Sequence, residues 1–220
     1  MSPAALSIVL WETVRRNRVR DGIVYLQITR GVARRDFAFP PADTKASVVV
    51  TARSNDLAHL EQLADEGIAV ITVPDIRWQR VDIKSVALLP NVLAKQAARE
   101  QGAREAWLVD AQGRVTEGAS SNAWIVSRDG KLITHPVGRD ILPGITRSVV
   151  IDVINAQGLA FEERAFSTEE AYAAREAFVT SASQIVLPVV SIDGRPIGNG
   201  APGLIATALR RAYHRHAEFT

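Results

Sequence analysis

Apolar residues recur at helical spacing at the start of the chain. Leu6, Val9, Leu10 and Val14 fall on one face, with Ser2 as a candidate cap and Pro3 in the first turn, which predicts a helix from Pro3 to Arg18. Asp21-Gly22 marks a turn, and the β-branched and aromatic run Ile23 to Thr29 predicts a strand. Ala33 to Asp43, with clustered charges and the Pro40-Pro41 break, reads as a loop. Ala46 to Ala52 reads as a second strand whose consecutive valines predict burial on both faces. Leu57, Leu60, Leu63 and Ala64 then sit on a short helix that Gly67 ends, before a strand from Ile68 to Val73. Arg53 to Glu66 is the place to divide the chain into two units, 1–56 and 57–220.

Further on, Leu89, Val92, Leu93, Gln96 and Ala97 predict a helix from Leu88 to Gln101, stopped by Gly102. Trp107 to Val109 and Ala123 to Ser127 read as strands, and Asp129-Gly130 as a hairpin turn. Pro143-Gly144 opens a helix from Ile145 to Ala156. Strands follow at Phe161 to Phe166 and Ala177 to Thr180. Val189 to Ile192 before Asp193-Gly194 is the first arm of another hairpin, and Gly203 to His214 is a last amphipathic helix. Irregular alternation of strands and helices with several hairpin signals predicts a mixed α/β fold with much antiparallel sheet, not a doubly wound parallel one.

Composition adds limits. With 47% hydrophobic and 23% charged residues, the 220-residue chain has the material for a sizeable core, and its net charge of +2 gives no electrostatic footprint for nucleic acid. The one basic cluster, Arg15-Arg16-Asn17-Arg18, lacks interleaved aromatics and reads as a solvated helix face. No cysteine is present, which excludes disulfides, thiolate metal sites and cysteine nucleophiles and fits a cytoplasmic protein. None of His59, His135, His214 and His216 is spaced with a carboxylate as a metal site requires. No apolar run reaches the roughly 18 residues of a membrane span, and no signal peptide is recognisable.

Three segments stand out chemically. In Val81 to Pro90 a lysine, Lys84, sits among apolar residues. It is either a surface lysine or an amine made nucleophilic by desolvation in a dry cleft. Thr116-Glu117-Gly118-Ala119-Ser120-Ser121-Asn122 offers a carboxylate followed by small residues; alone it is equally a loop acid. Leu142-Pro143-Gly144-Ile145-Thr146 offers backbone N–H groups at a helix start, able to hold an anion, though Pro-Gly is also simply a turn. An aldehyde for the amine, a basic ring nitrogen for the carboxylate and a phosphate for the helix start occur together in pyridoxal 5′-phosphate. Spacing alone does not bring the three segments together. Trp78 reads as packing.

Asp75-Ile76-Arg77-Trp78-Gln79-Arg80, Asp82 to Ser85 with Asn91 to Gln96, Val115 to Gly118 with Ser121-Asn122, Ile141 to Arg147, and Phe178 to Ser181 resemble the fold-type IV pyridoxal-phosphate enzymes. Among these they are most similar to the D-amino acid (D-alanine) transaminases. The likeness covers nearly the whole chain, and its motifs are jointly specific. It implies a small α/β domain beside a larger domain with a mostly antiparallel pseudo-barrel sheet and flanking helices, and a homodimer. It further implies Lys84 as the Schiff-base lysine and Glu117 as the partner of the pyridine nitrogen. Ile145 and Thr146 would bind the phosphate with the Ser181-Ala182 turn, Leu142 would pack near the ring, and Ser120 would lie close by. Arg35 matches the arginine that grips the substrate carboxylate, but Phe37 stands where those enzymes usually carry histidine. The first strands of the family's small domain, with a phosphate-binding arginine and a substrate-facing tyrosine, have no counterpart in Met1 to Val24, so the small domain is expected to be truncated. The implied reaction exchanges an amino group between a D-amino acid such as D-alanine and a 2-oxo acid such as 2-oxoglutarate. Phe37 leaves branched-chain aminotransferase, aminodeoxychorismate lyase or (R)-amine transaminase activity open, and the truncation leaves open a non-catalytic relative.

Overall fold

The computed structural model describes residues 1–218. The chain divides into two compact units, Met1–His59 and a second from Leu60 onward. In the first, helix α1 (Pro3–Arg16) is capped as expected: the Ser2 hydroxyl accepts from the Ala5 N–H at 3.3 Å and proline fills the first turn. Strands β1 (Gly22–Thr29) and β2 (Ser47–Ser54) pair antiparallel, Gly22 opposite Ser54 through to Thr29 opposite Ser47, and α1 packs against β2. No residue of 1–59 is buried. The valines of β2 therefore differ from expectation, with Val48 and Val49 37% and 47% exposed. A two-stranded ribbon with a single helix against it has too few layers to cover both faces.

The second unit is a curled sheet dressed with helices. Helix α2 (Leu57–Glu66) leads into β3 (Ile68–Pro74), then α3 (Leu89–Glu100), β4 (Glu105–Val109), β5 (Arg114–Gly118), β6 (Asn122–Val126) and β7 (Leu132–Thr134). Next come α4 (Ile145–Ala156), β8 (Phe161–Glu163), β9 (Phe166–Ser167), α5 (Thr168–Tyr172), β10 (Glu176–Ser181), β11 (Ile185–Ile192), β12 (Arg195–Pro196) and α6 (Leu204–Glu218). The strand order is β8-β7-β6-β10-β11-β3-β4-β5-β9, with β12 beside β11. Among the described residues, pairing is parallel at β11·β3, β3·β4 and β7·β8 and antiparallel elsewhere, the mixed and largely antiparallel sheet expected.

Phe161 to Phe166 is not one strand. Its first half pairs with β7 and its second with β5, at opposite ends of the sheet. Only Arg164 and Ala165 separate the two halves, and three residue steps of extended chain span at most about 11 Å. The sheet must therefore curl until its edges nearly meet, which makes it a pseudo-barrel. Alternation along the strands follows from this shape. Ala123, Ile125, Ala177 and Val179 join a core with Trp107, Val115, Leu187 and Phe166, while Trp124, Val126 and Phe178 point the other way into a second core with residues of α4 and α6. Trp124 stacks on Phe178 at 5.4 Å and donates its indole N–H to the Thr180 hydroxyl at 3.0 Å, so a buried polar atom is satisfied. Helix α3 covers a third, smaller cluster around Ile71, Ala106 and Leu108. Among the described residues no helix is long and apolar enough to cross a membrane.

Candidate active site

Glu117 sits at the end of β5, where the chain reverses tightly into β6: the Gly118 N–H donates to the Ser121 carbonyl at 2.7 Å. A Cβ on Gly118 would fall 2.2 Å from the Ser121 hydroxyl, so the turn requires glycine. This reversal puts Glu117 and Asn122, five residues apart, side by side. One Glu117 oxygen accepts from Asn122 Nδ2 at 2.9 Å and from the Leu142 N–H at 3.1 Å; the other accepts from Arg77 Nη1. Glu117 as a whole is 5% exposed.

Arg77 lies just past β3 and is held from several sides. Its Nε and Nη2 donate to the two oxygens of Asp75 at 2.9 and 2.6 Å, and Nη2 also reaches the Asp140 carbonyl at 3.1 Å. Asp75 accepts in addition from the Thr116 hydroxyl at 2.8 Å. Burial works against the charged form of Asp75, yet the bonds and charge of Arg77 outweigh it and hold that carboxyl below its ordinary range. For Glu117 the balance falls the other way. Burial pushes it up from 4.5 to about 7 despite the Arg77 guanidinium and the Leu142 N–H. A dry carboxylate in that state gains from any cation brought to it.

The start of α4 has the opposite polarity. Gly144 is its N-cap and offers no side chain to the helix, whose first internal bond runs from the Ser148 N–H to the Gly144 carbonyl at 3.0 Å. The amides of the first turn are thus open to an anion. Thr146, 4% exposed, has a hydroxyl without a hydrogen-bond partner among the described residues. Asn122 links this helix start to the carboxylate: its Nδ2 also donates to the Leu142 carbonyl at 3.0 Å, and a Cβ on Gly144 would fall 2.3 Å from its Oδ1. Thr180 of β10 lies opposite Asn122 in register, so the Ser181-Ala182 turn follows directly beside it. There the Ser181 hydroxyl accepts from the Gln184 N–H at 3.3 Å and keeps its own proton to donate.

Lys84 lies in the loop between β3 and α3 and is exposed, so the dry-cleft reading does not hold within this chain. Its apolar neighbours explain this, since Val86, Leu88 and Leu89 are themselves 76%, 53% and 67% exposed. The loop is nevertheless tied to the site on both flanks. The Val81 N–H donates to the Arg139 carbonyl at 2.9 Å, three residues before Leu142, and Asn91 Nδ2 donates to the Ala119 carbonyl at 2.8 Å, two residues after Glu117. The Lys84 amine has no hydrogen-bond or ion-pair partner among the described residues.

Four further residues named from the sequence lie outside this cluster of buried groups. Ser120 is exposed and gives its hydroxyl to Glu105 at 2.7 Å, where Ser121 also donates and Lys95 forms an ion pair at 3.3 Å. Arg35 and Phe37 belong to the first unit, on the loop between β1 and β2, exposed, with the guanidinium carbon 5.8 Å from the Phe37 ring centre. Trp78, expected as packing, is 51% exposed. Sequence reasoning singled out neither Asp75, Arg77 nor Asn122 as site residues. Their only signal was membership of quoted motifs, because Glu117 and Thr116, the site partners of Arg77, lie about 40 residues away along the chain.

Comparison with known proteins agrees with this geometry. The family described as amino-transferase class IV matches residues 2–192. D-alanine aminotransferases of Staphylococcus haemolyticus and Bacillus licheniformis are 40% and 43% identical over 211 residues, which is 96% of this chain and 73% of each relative. The crystal structure of a T.th. branched-chain amino acid aminotransferase complexed with N-(5′-phosphopyridoxyl)-L-glutamate superposes with a TM-score of 0.81 at 30% identity, covering 97% of this chain and 70% of that one. By the match along its length and the fold it shares, the chain belongs to the class IV aminotransferases, enzymes that work with pyridoxal 5′-phosphate.

Proposed function

We propose that this chain transfers an amino group between a D-amino acid, D-alanine in the first instance, and a 2-oxo acid such as 2-oxoglutarate. The observation that carries the proposal is the pairing of Glu117, a buried carboxylate that shares its Arg77 partner with Asp75, with the uncapped start of α4, through the single side chain of Asn122. Two sites of opposite sign so linked fit pyridoxal 5′-phosphate, with a protonated ring nitrogen at one end and a phosphate at the other. The identity to two D-alanine aminotransferases supports the substrate.

In this reading the cofactor supplies an electron sink for the bond-breaking at the substrate's α-carbon. Glu117 holds the ring-nitrogen proton, and Arg77, Asn122 and the Leu142 N–H hold Glu117. The Ile145 and Thr146 amides and the Thr146 hydroxyl hold the phosphate, with the Ser181-Ala182 turn beside them and Leu142 near the ring. Lys84 would supply the amine that holds the cofactor's aldehyde, and the same amine would be the group that carries a proton at the substrate's α-carbon. Arg35 takes the substrate carboxylate, with Phe37 as an apolar neighbour. The unit from Met1 to His59 corresponds to part of the small domain and the rest to the large, cofactor-binding domain. Two copies form a dimer, acting in the cytoplasm on small amino and 2-oxo acids.

Purified protein supplied with cofactor should turn over D-alanine with 2-oxoglutarate faster than L-leucine or an (R)-amine, and Lys84→Ala should abolish that turnover. Full activity in Lys84→Ala, or a preference for L-leucine, would sink this reading.

A further inference from the structure

One guanidinium serves two carboxylates in the site. Arg77 gives Nε and Nη2 to Asp75 and Nη1 to Glu117, and all three side chains are nearly dry, 4% exposed for Arg77, 12% for Asp75 and 6% for Glu117. Asp75 is fixed independently of Glu117, by the Arg77 N–H at 3.1 Å and the Thr116 hydroxyl at 2.8 Å. Counted as formal charges, the group carries one negative charge in excess when Glu117 is ionised. Without Asp75, Arg77 and Glu117 would form a neutral pair, and a cation facing Glu117 would meet a weaker attraction.

We infer that Asp75 is a positioning residue for the ring-nitrogen site: by drawing the Arg77 charge to itself, it leaves Glu117 as a net anion able to keep the cofactor's nitrogen protonated. The inference rests on the cofactor reading above and adds to it a residue that touches neither cofactor nor substrate. Asp75 and Arg77 are the charged groups acting on Glu117; its other neighbours, the Asn122 amide and the Leu142 N–H, are neutral. The split of one cation between two acids also gives the two partners opposite effects. Loss of Asp75 leaves Glu117 with more positive charge around it, and loss of the Arg77 charge leaves it with less.

The test is a carboxyl-carbon NMR titration of Glu117 in the full-length apoprotein, with Glu117→Gln to assign the signal. Asp75→Asn should move the Glu117 midpoint down by about one pH unit, the uncharged Arg77→Gln should move it up, and Asp75→Glu should leave it near the wild-type position. With the cofactor labelled at the pyridine nitrogen, the nitrogen resonance of the Asp75→Asn holoprotein should move toward the unprotonated position, and that of Asp75→Glu should not. Shifts of the same sign in both variants, as simple loosening of the site would give, or no shift in Asp75→Asn, would overturn the inference. Should Asp75→Asn fail to fold, the upward shift in Arg77→Gln is still required, and its absence refutes the idea. Wild-type protein that binds no cofactor would instead overturn the cofactor reading, leaving the apoprotein titration to judge Asp75 by itself.

Discussion

At Glu117, burial and charge pull in opposite directions. Burial wins, raising the carboxyl from 4.5 to about 7. Between those values the folded chain binds a proton that the unfolded chain has released, so stability falls as pH rises through that window. Converted at about 1.36 kcal/mol per unit, the loss is on the order of 3 kcal/mol. Urea unfolding of the apoprotein at pH 4.5 and pH 7.5 should show this loss relative to Glu117→Gln, which has no proton to lose. Equal pH dependence in both proteins would contradict the account. Glu117 was legible in the sequence as an acid ahead of small residues. Arg77 was not, because what makes it important is a carboxylate brought to it by the sheet, and no local pattern encodes that. At Lys84 the sequence left a surface lysine and a dry cleft both open, and the exposure of Val86, Leu88 and Leu89 favours the surface within this chain, since hydrophobic context alone does not mean burial.

At the scale of an element, α4 begins where Pro143-Gly144 said it would, because a glycine N-cap and the residues after it are local facts. What the sequence could not show is why glycine is needed. The backbone of Gly144, at φ −66° and ψ 133°, would accept alanine, and only Asn122 Oδ1 stands in the way. Gly144→Ala should therefore push Asn122 off Glu117 and Leu142 and cost about 1–3 kcal/mol. Combined with Asn122→Ala, the cost should be clearly less than the sum of the two single changes, and additivity in urea unfolding would exclude the contact. Thr146→Val removes the one unpartnered hydroxyl at this helix start. It should weaken binding of the cofactor, read by fluorescence titration, by about tenfold or more, the usual value of a hydrogen bond to a charged group. The strand expected over Phe161 to Phe166 failed for a physical reason. Local β-propensity is continuous there, while the curled sheet needs that short stretch to serve both of its edges.

Across the whole molecule, the two units differ in how their chains are held. The second buries three apolar clusters around its sheet, and the first has no buried residue between Met1 and His59. A mixed, largely antiparallel fold was legible from hairpin signals and strand lengths; the burial of β2 was misjudged because burial depends on layers, not on valine content. Amide exchange should report the contrast: β1 and β2 amides should exchange through local opening, and β10 and β11 amides only through global unfolding. Comparable protection in both pairs would show that the first unit is held more firmly than its burial implies. The central claim, that this fold carries a pyridoxal 5′-phosphate site built on Lys84, has one direct measurement. Protein incubated with the cofactor, reduced with borohydride and digested should yield a pyridoxyl-phosphate mass on the peptide containing Lys84. A modification on another lysine instead, or none at all, would contradict it.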